Sequence, residues 1–154
     1  IKGRVATLLA VPAGARVFFL RRVRLVEGEP LIVLNNYVVY RDCPGIETVD
    51  FARERLFQVL EGRYGLRLAR GRRTFQAQAA DREVAHLLDM NQGEPVMYVE
   101  QLAYLDDGAI VECSDLWLRG DCFRLIAGVS RSGRGNLDLA MSMVAGTGPD
   151  RSSF

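Results

Sequence analysis

Apolar and polar side chains interleave through FFLRRVRLVEGEPLIV, from Phe18 to Val33. Successive side chains of a strand point to opposite faces. The pattern predicts a strand, a tight turn at Gly28 and a second strand. Phe18, Leu20, Arg22 and Arg24 then share one face, and Phe19, Arg21, Val23 and Leu25 the other. Two arginines on one face of so apolar a strand need an explanation.

The pattern recurs. RVATLLAVPAG (Arg4 to Gly14) aligns with EVAHLLDMNQG (Glu83 to Gly93), and Val5/Val84, Ala6/Ala85, Leu8/Leu87, Leu9/Leu88 and Gly14/Gly93 match. Both copies run into an apolar strand, RVFFLRRVRLV or PVMYVEQLAYL, then a turn at Gly28 or Gly108 and a second strand. They close on Arg41-Asp42-Cys43 and Gly120-Asp121-Cys122. Each unit reads as helix, strand, turn, strand. Neither can bury both faces alone, so the two hairpins should share one sheet.

Between the copies, Asp50 reads as an N-cap. Leu56, Val59 and Leu60 follow at helical spacing, Tyr64 extends the stripe and Gly65 is a natural stop. A long strand is expected through RRTFQAQAA, with Phe75, Ala77 and Ala79 inward, and Asp81 should cap the second repeat's helix. CFRLIAGV reads as a last strand. The tail, residues 131–154, reads mostly as loop, with room for a short helix near LDLAMSMVA. The fold class is α+β: one mostly antiparallel sheet with helices packed against it, built on an internal helix-strand-strand repeat.

Composition narrows the function. The 154 residues are 49% hydrophobic and 25% charged, with a formal net charge of +1. That balance gives no bulk attraction to nucleic acid or to anionic membrane. No apolar run reaches membrane-spanning length and no secretory signal is present. Cys43, Cys113 and Cys122 are odd in number and lack a CxxC, which fits free thiols in a reducing cytoplasm. Cys43 and Cys122 close equivalent ends of the two repeats and are expected not to bridge. The chain opens on Ile1, so a longer parent protein is expected.

Candidate chemistry is sparse. His86, the single histidine, points away from the stripe of its helix and reads as solvated. The ligands for a metal site are missing, no cofactor motif occurs, and no catalytic signature such as GxSxG or HExxH is present. Arg63, Arg67, Arg70, Arg72 and Arg73 form a basic run. It reads as a solvated edge strand rather than a nucleic-acid patch, because no aromatic residues interleave. Arg22 and Arg24 remain. Rise alone sets them about 6.6 Å apart, and two like charges on a half-buried face need an anion nearby. Protein carboxylates, Glu112 or Asp115, could supply it. So could the phosphate or carboxylate of a ligand, for which the guanidinium fork is well shaped. The second repeat has Gln101 and Ala103 at the matching positions. The residues alone leave both alternatives open.

The ordered set RRVRLVEGEP, ERLFQVLEGRYG, FQAQAADREVAHLL and GEPVMYVEQLAYLDDGAIVECSDLWLRGDCFRL resembles the UTRA effector-binding domain of GntR-type bacterial transcription regulators of the HutC subfamily, from Arg4 to Ile126. The resemblance implies a chorismate-lyase-like fold, ligand sensing without catalysis or cofactor, and homodimers. It also implies a separate N-terminal winged helix-turn-helix, absent from this chain, through which DNA is bound. The family's paired arginines fall on Arg22 and Arg24, which would hold the effector's anionic part. Its later acidic residue falls on Glu112, which would meet polar groups of the ligand.

Two positions depart from members that recognise sugar phosphates: Arg55 replaces a serine and Leu34 an acidic residue. A tyrosine common in the family is replaced by Leu118. The site has gained a cation and lost hydroxyl-reading groups, so the expected effector is a small carboxylate, aromatic or unsaturated, with Arg22, Arg24, Arg55 and Glu112 as its binding residues. Two alternatives stand beside this one. The first is a chorismate-lyase-like enzyme with Glu112 as its acid. The second is a dimerisation module whose arginines are plugged by Glu112 or Asp115, leaving no cavity.

Overall fold

The structure, a computed structural model, describes residues 3–131 and 137–145, with 127–131 and 137–145 as backbone alone. Numbered in chain order, the helices are α1 (Arg4–Leu8), α2 (Leu56–Tyr64) and α3 (Arg82–Leu87). The strands are β1 (Val17–Val26), β2 (Glu29–Val39), β3 (Leu68–Ala79), β4 (Pro95–Leu105), β5 (Ile110–Arg119), β6 (Phe123–Arg131) and β7 (Leu137–Ala145). The first five strands form one antiparallel sheet in the order β1-β2-β5-β4-β3. The architecture is α+β.

The repeat is visible in the backbone. α1–β1–β2 and α3–β4–β5 are the two copies, and their second strands pair at the centre of the sheet, with Asn35 opposite Asp115. This relates the hairpins by a local two-fold. Both short helices end alike. Ala10 (φ 53°) and Asp89 (φ 50°) adopt the left-handed conformation. The next amides, of Val11 and Met90, donate back to the carbonyls of Ala6 and Ala85 at 3.1 and 3.0 Å. This is a Schellman closure. Asp81 caps α3, its Oδ1 accepting from the Val84 amide at 2.8 Å.

Strand alternation divides the core. On one face Val38 and Ala103 pack with Leu56 and Leu60 of α2. On the other, Val33 and Val96 pack with Val84, Ala85 and Leu88, while Val39, Leu102 and Cys113 pack with Leu9. Burying Leu56, Val59 and Leu60 is what holds α2 to the sheet, at about 1.5–3 kcal/mol for each side chain.

Four expectations need correction. α2 begins at Leu56 rather than just after Asp50, which instead caps a turn by accepting from the Ala52 amide at 3.1 Å. Ala77 and Ala79 are exposed rather than inward, because β3 is an edge strand on which only Leu68, Phe75 and Gln78 are half-covered. β6 is not the last strand. Residues 137–145 form strand β7, paired antiparallel with β6, where a short helix was expected: LDLAMSMVA alternates faces as well as it fits a helix, and a partner strand decides. The rest of the tail, 132–136 and 146–154, lies outside the described residues. Cys43, Cys113 and Cys122 are free and buried, and His86 is exposed.

Candidate functional site

The α2 face of the sheet is only partly covered. Beside α2 a cavity of about 550 Å³ opens, within the range of small-molecule sites. Arg22 and Arg24 reach it from β1, Arg55, Leu56, Phe57 and Gln58 from the start of α2, and Arg73 from β3. The floor follows from the pairing register. One row across the strands is apolar, Leu34 beside Leu116, with Ile32 beside Leu118 in the next. The row on the other side is polar: Asn36 beside Ser114, Ser114 beside Gln101, Gln101 beside Arg73.

The cavity carries positive charge that the protein leaves unbalanced. None of its lining residues is acidic. Among the described residues, no carboxylate lies within ion-pair distance of Arg22, Arg24, Arg55 or Arg73, whereas Arg4, Arg21 and Arg119 outside the cavity are all paired. Burial, then the charge of Arg24, pulls the Arg22 guanidinium below its ordinary pKa, with Glu112 opposing them. A site that disfavours its own cation is one an incoming anion relieves.

A polar chain leads from the cavity wall under α2. Arg22 Nη2 donates to Asn36 Oδ1 at 2.9 Å, and Asn36 Nδ2 donates to Glu112 Oε1 at 2.8 Å. Glu112 is wholly buried. Burial pushes its carboxyl up to about 7, against the pull of Asn36, Ser114, Gln101 and the Arg22 charge. Three buried atoms here have no hydrogen-bond partner in the protein: Arg22 Nε, Ser114 Oγ and Glu112 Oε2. Buried polar atoms are paired in nearly all folded proteins. Of the three residues here, Arg22 and Ser114 line the cavity, where a polar occupant could meet them.

Of the four nominated residues, Arg22, Arg24 and Arg55 line the cavity, and Glu112 lies behind Asn36 rather than in the lining. Asp115 is on the opposite face, where Arg4 grips both its oxygens at 2.5 and 2.6 Å and the Tyr98 hydroxyl donates at 2.6 Å. It cannot plug the arginines. Leu34, Arg55 and Leu118, where the sequence differs from the family pattern expected above, all line this one cavity. Asn36, Ser114, Gln101 and Arg73 were missed as site residues. Alternation puts each on some face, but only the β2–β5 and β3–β4 registers bring them into one row.

The profile of the UTRA domain matches residues 2–124. The chain belongs to the UTRA domain family. These are the effector-binding domains of GntR-type transcription regulators, and Arg22, Arg24 and Arg55, within the stretches that carried the resemblance, line the cavity. The UTRA domain described here is 29% identical over 119 residues to the HTH-type transcriptional regulator GmuR of Bacillus subtilis (strain 168), covering 77% of this chain and 50% of that protein. The chain spans about half the length of the curated relatives it matches. Among solved structures, the effector domain of PhnF from Mycobacterium smegmatis superposes with a TM-score of 0.71 at 24% identity, covering 76% of this chain and 72% of that one. A GntR-family transcriptional regulator from Enterococcus faecalis V583 superposes with a TM-score of 0.65 at 18% identity, over 75% and 82%. At these identities the two structures show the fold.

Proposed function

We propose that this UTRA domain is the sensing half of a bacterial transcriptional repressor, binding a small organic anion, with a carboxylate favoured, in the cavity beside α2. It does no catalysis. Arg22 and Arg24 hold the anion, Arg55 adds a third charge from α2, and Ile32, Leu34, Leu116 and Leu118 take the apolar body. Asn36 stands between Arg22 and Glu112 and carries Glu112's influence to the ligand. Binding modulates an N-terminal DNA-binding domain that reads the operator, and the regulator works in the cytoplasm as a homodimer.

The observation that carries this reading is the coincidence, in one cavity, of unbalanced arginines and unpartnered buried polar atoms. It also disfavours the plugged-module alternative, which required a carboxylate on the arginines. The test is a thermal-shift screen of small carboxylic acids and sugar phosphates, followed by titration of the best binder. A charge-assisted bond to a guanidinium is worth about 1.5–3 kcal/mol net. Arg22→Ala and Arg24→Ala should each weaken binding about ten- to a hundredfold. Parent-like affinity in both variants would show the arginines to be structural.

A further inference from the structure

Resting on the reading of this cavity as the effector site, we infer that the effector carries two anionic groups, at opposite ends of an apolar body, and that Arg73 binds the second. Arg22 and Arg24 come from β1, one edge of the sheet, and Arg73 comes from β3, the other. Four strand spacings separate those edges, about 19 Å at the backbone. The guanidiniums reach inward from opposite edges and so present cations at two separate ends of the cavity. The floor between them is Leu34, Leu116, Ile32 and Leu118, with Ser114 and Gln101 along one border.

Arg73 is fixed for this task. Its Nε donates to Gln101 Oε1 at 2.7 Å, and no carboxylate among the described residues lies within ion-pair distance of the guanidinium. Its strand neighbours are engaged elsewhere or turned away. Arg70 stacks over the Tyr104 ring at 3.8 Å, and Arg72, one residue before, faces the other side by alternation. Within the basic run, Arg73 is the arginine that lines the cavity. Two strands in, past Gln101, Ser114 Oγ is buried without a hydrogen-bond partner. A ligand with a single anionic group would satisfy the β1 end and leave this end bare.

The test compares matched acids by calorimetry. The probes are the α,ω-dicarboxylates from succinate to suberate, the monocarboxylates of the same chain lengths, and the corresponding ω-phosphonocarboxylates. For at least one length the parent should bind a doubly anionic probe tenfold or more tighter than the monocarboxylate. Whether the carboxylate or the phosphonate gains more identifies the second group. Arg73→Gln should bring that ratio to within twofold, and Arg22→Ala should weaken both classes. A ratio near one at every length in the parent overturns the inference, and so does an undiminished ratio in Arg73→Gln. Monocarboxylates that still bind through Arg22 in those cases leave the sensor reading standing. Failure of every acid to bind overturns both.

Discussion

Glu112 sits where its charge is costly. It has one firm hydrogen bond, from Asn36, and no solvent. Its folded pKa of about 7 lies above the ordinary carboxyl value of 4.5. An acid with a raised folded pKa binds more protons folded than unfolded, so stability falls as pH rises between those two values and is level above the higher one. A shift of this size amounts to roughly 3 kcal/mol. Glu112→Gln keeps an oxygen for Asn36 and cannot ionise. Against the parent, the variant should therefore gain melting temperature steadily from pH 5 to pH 7.5. Parallel curves across that range would mean that Glu112 does not titrate there. The sequence nominated Glu112 as a ligand contact, and its depth behind Asn36 was not legible, because depth depends on the neighbouring strand. The sequence reading kept Glu112 and Asp115 together as partners for the arginines, although alternation separates them. Three residues apart on a strand, they must face opposite sides.

The helix ends are where the elements hold spare energy. Ala10 occupies the left-handed position that closes α1, where its Cβ is strained by about 1–2 kcal/mol. Glycine relieves that strain but adds freedom to the unfolded chain. Ala10 is exposed and packs nothing, so Ala10→Gly should stabilise the fold by about 0.5–1 kcal/mol in urea unfolding. Asp89, at the same place in the second copy, tolerates the conformation better, and Asp89→Gly should gain less. A loss of stability in Ala10→Gly would contradict the strain argument. The two helices were foreseen as a repeat because their leucines and following glycines keep their spacing, whereas the left-handed closure at Ala10 and Asp89 was not. The start of α2 was misjudged because Asp50 has capping chemistry that a turn uses equally well. β7 was misjudged because short apolar patterns satisfy two periods.

At the scale of the molecule, β1 is an unpaired edge with Phe19, Leu25 and Val26 exposed at 48, 61 and 47%. Exposed apolar edges are covered in stable proteins, which agrees with the proposed homodimer. Sedimentation at tens of micromolar should give twice the 17.2 kDa chain mass. A purely monomeric species would count against it. The shared sheet was readable from the repeat, whereas the cavity was not. A cavity is space that α2 and the edge strands leave over, and no single stretch of residues encodes it.

The local two-fold also bears on how a bound molecule lies. About that axis Asn36 exchanges with Leu116, Ser114 with Leu34, and Gln101 with Arg22. Filled evenly, such a frame would hold a guest equally well head-first or tail-first. Here every exchange swaps opposites: amide for leucine, hydroxyl for leucine, neutral amide for cation. The duplication built a frame without direction and divergence gave it a compass, so a molecule with a wet flank and a greasy flank fits it one way round.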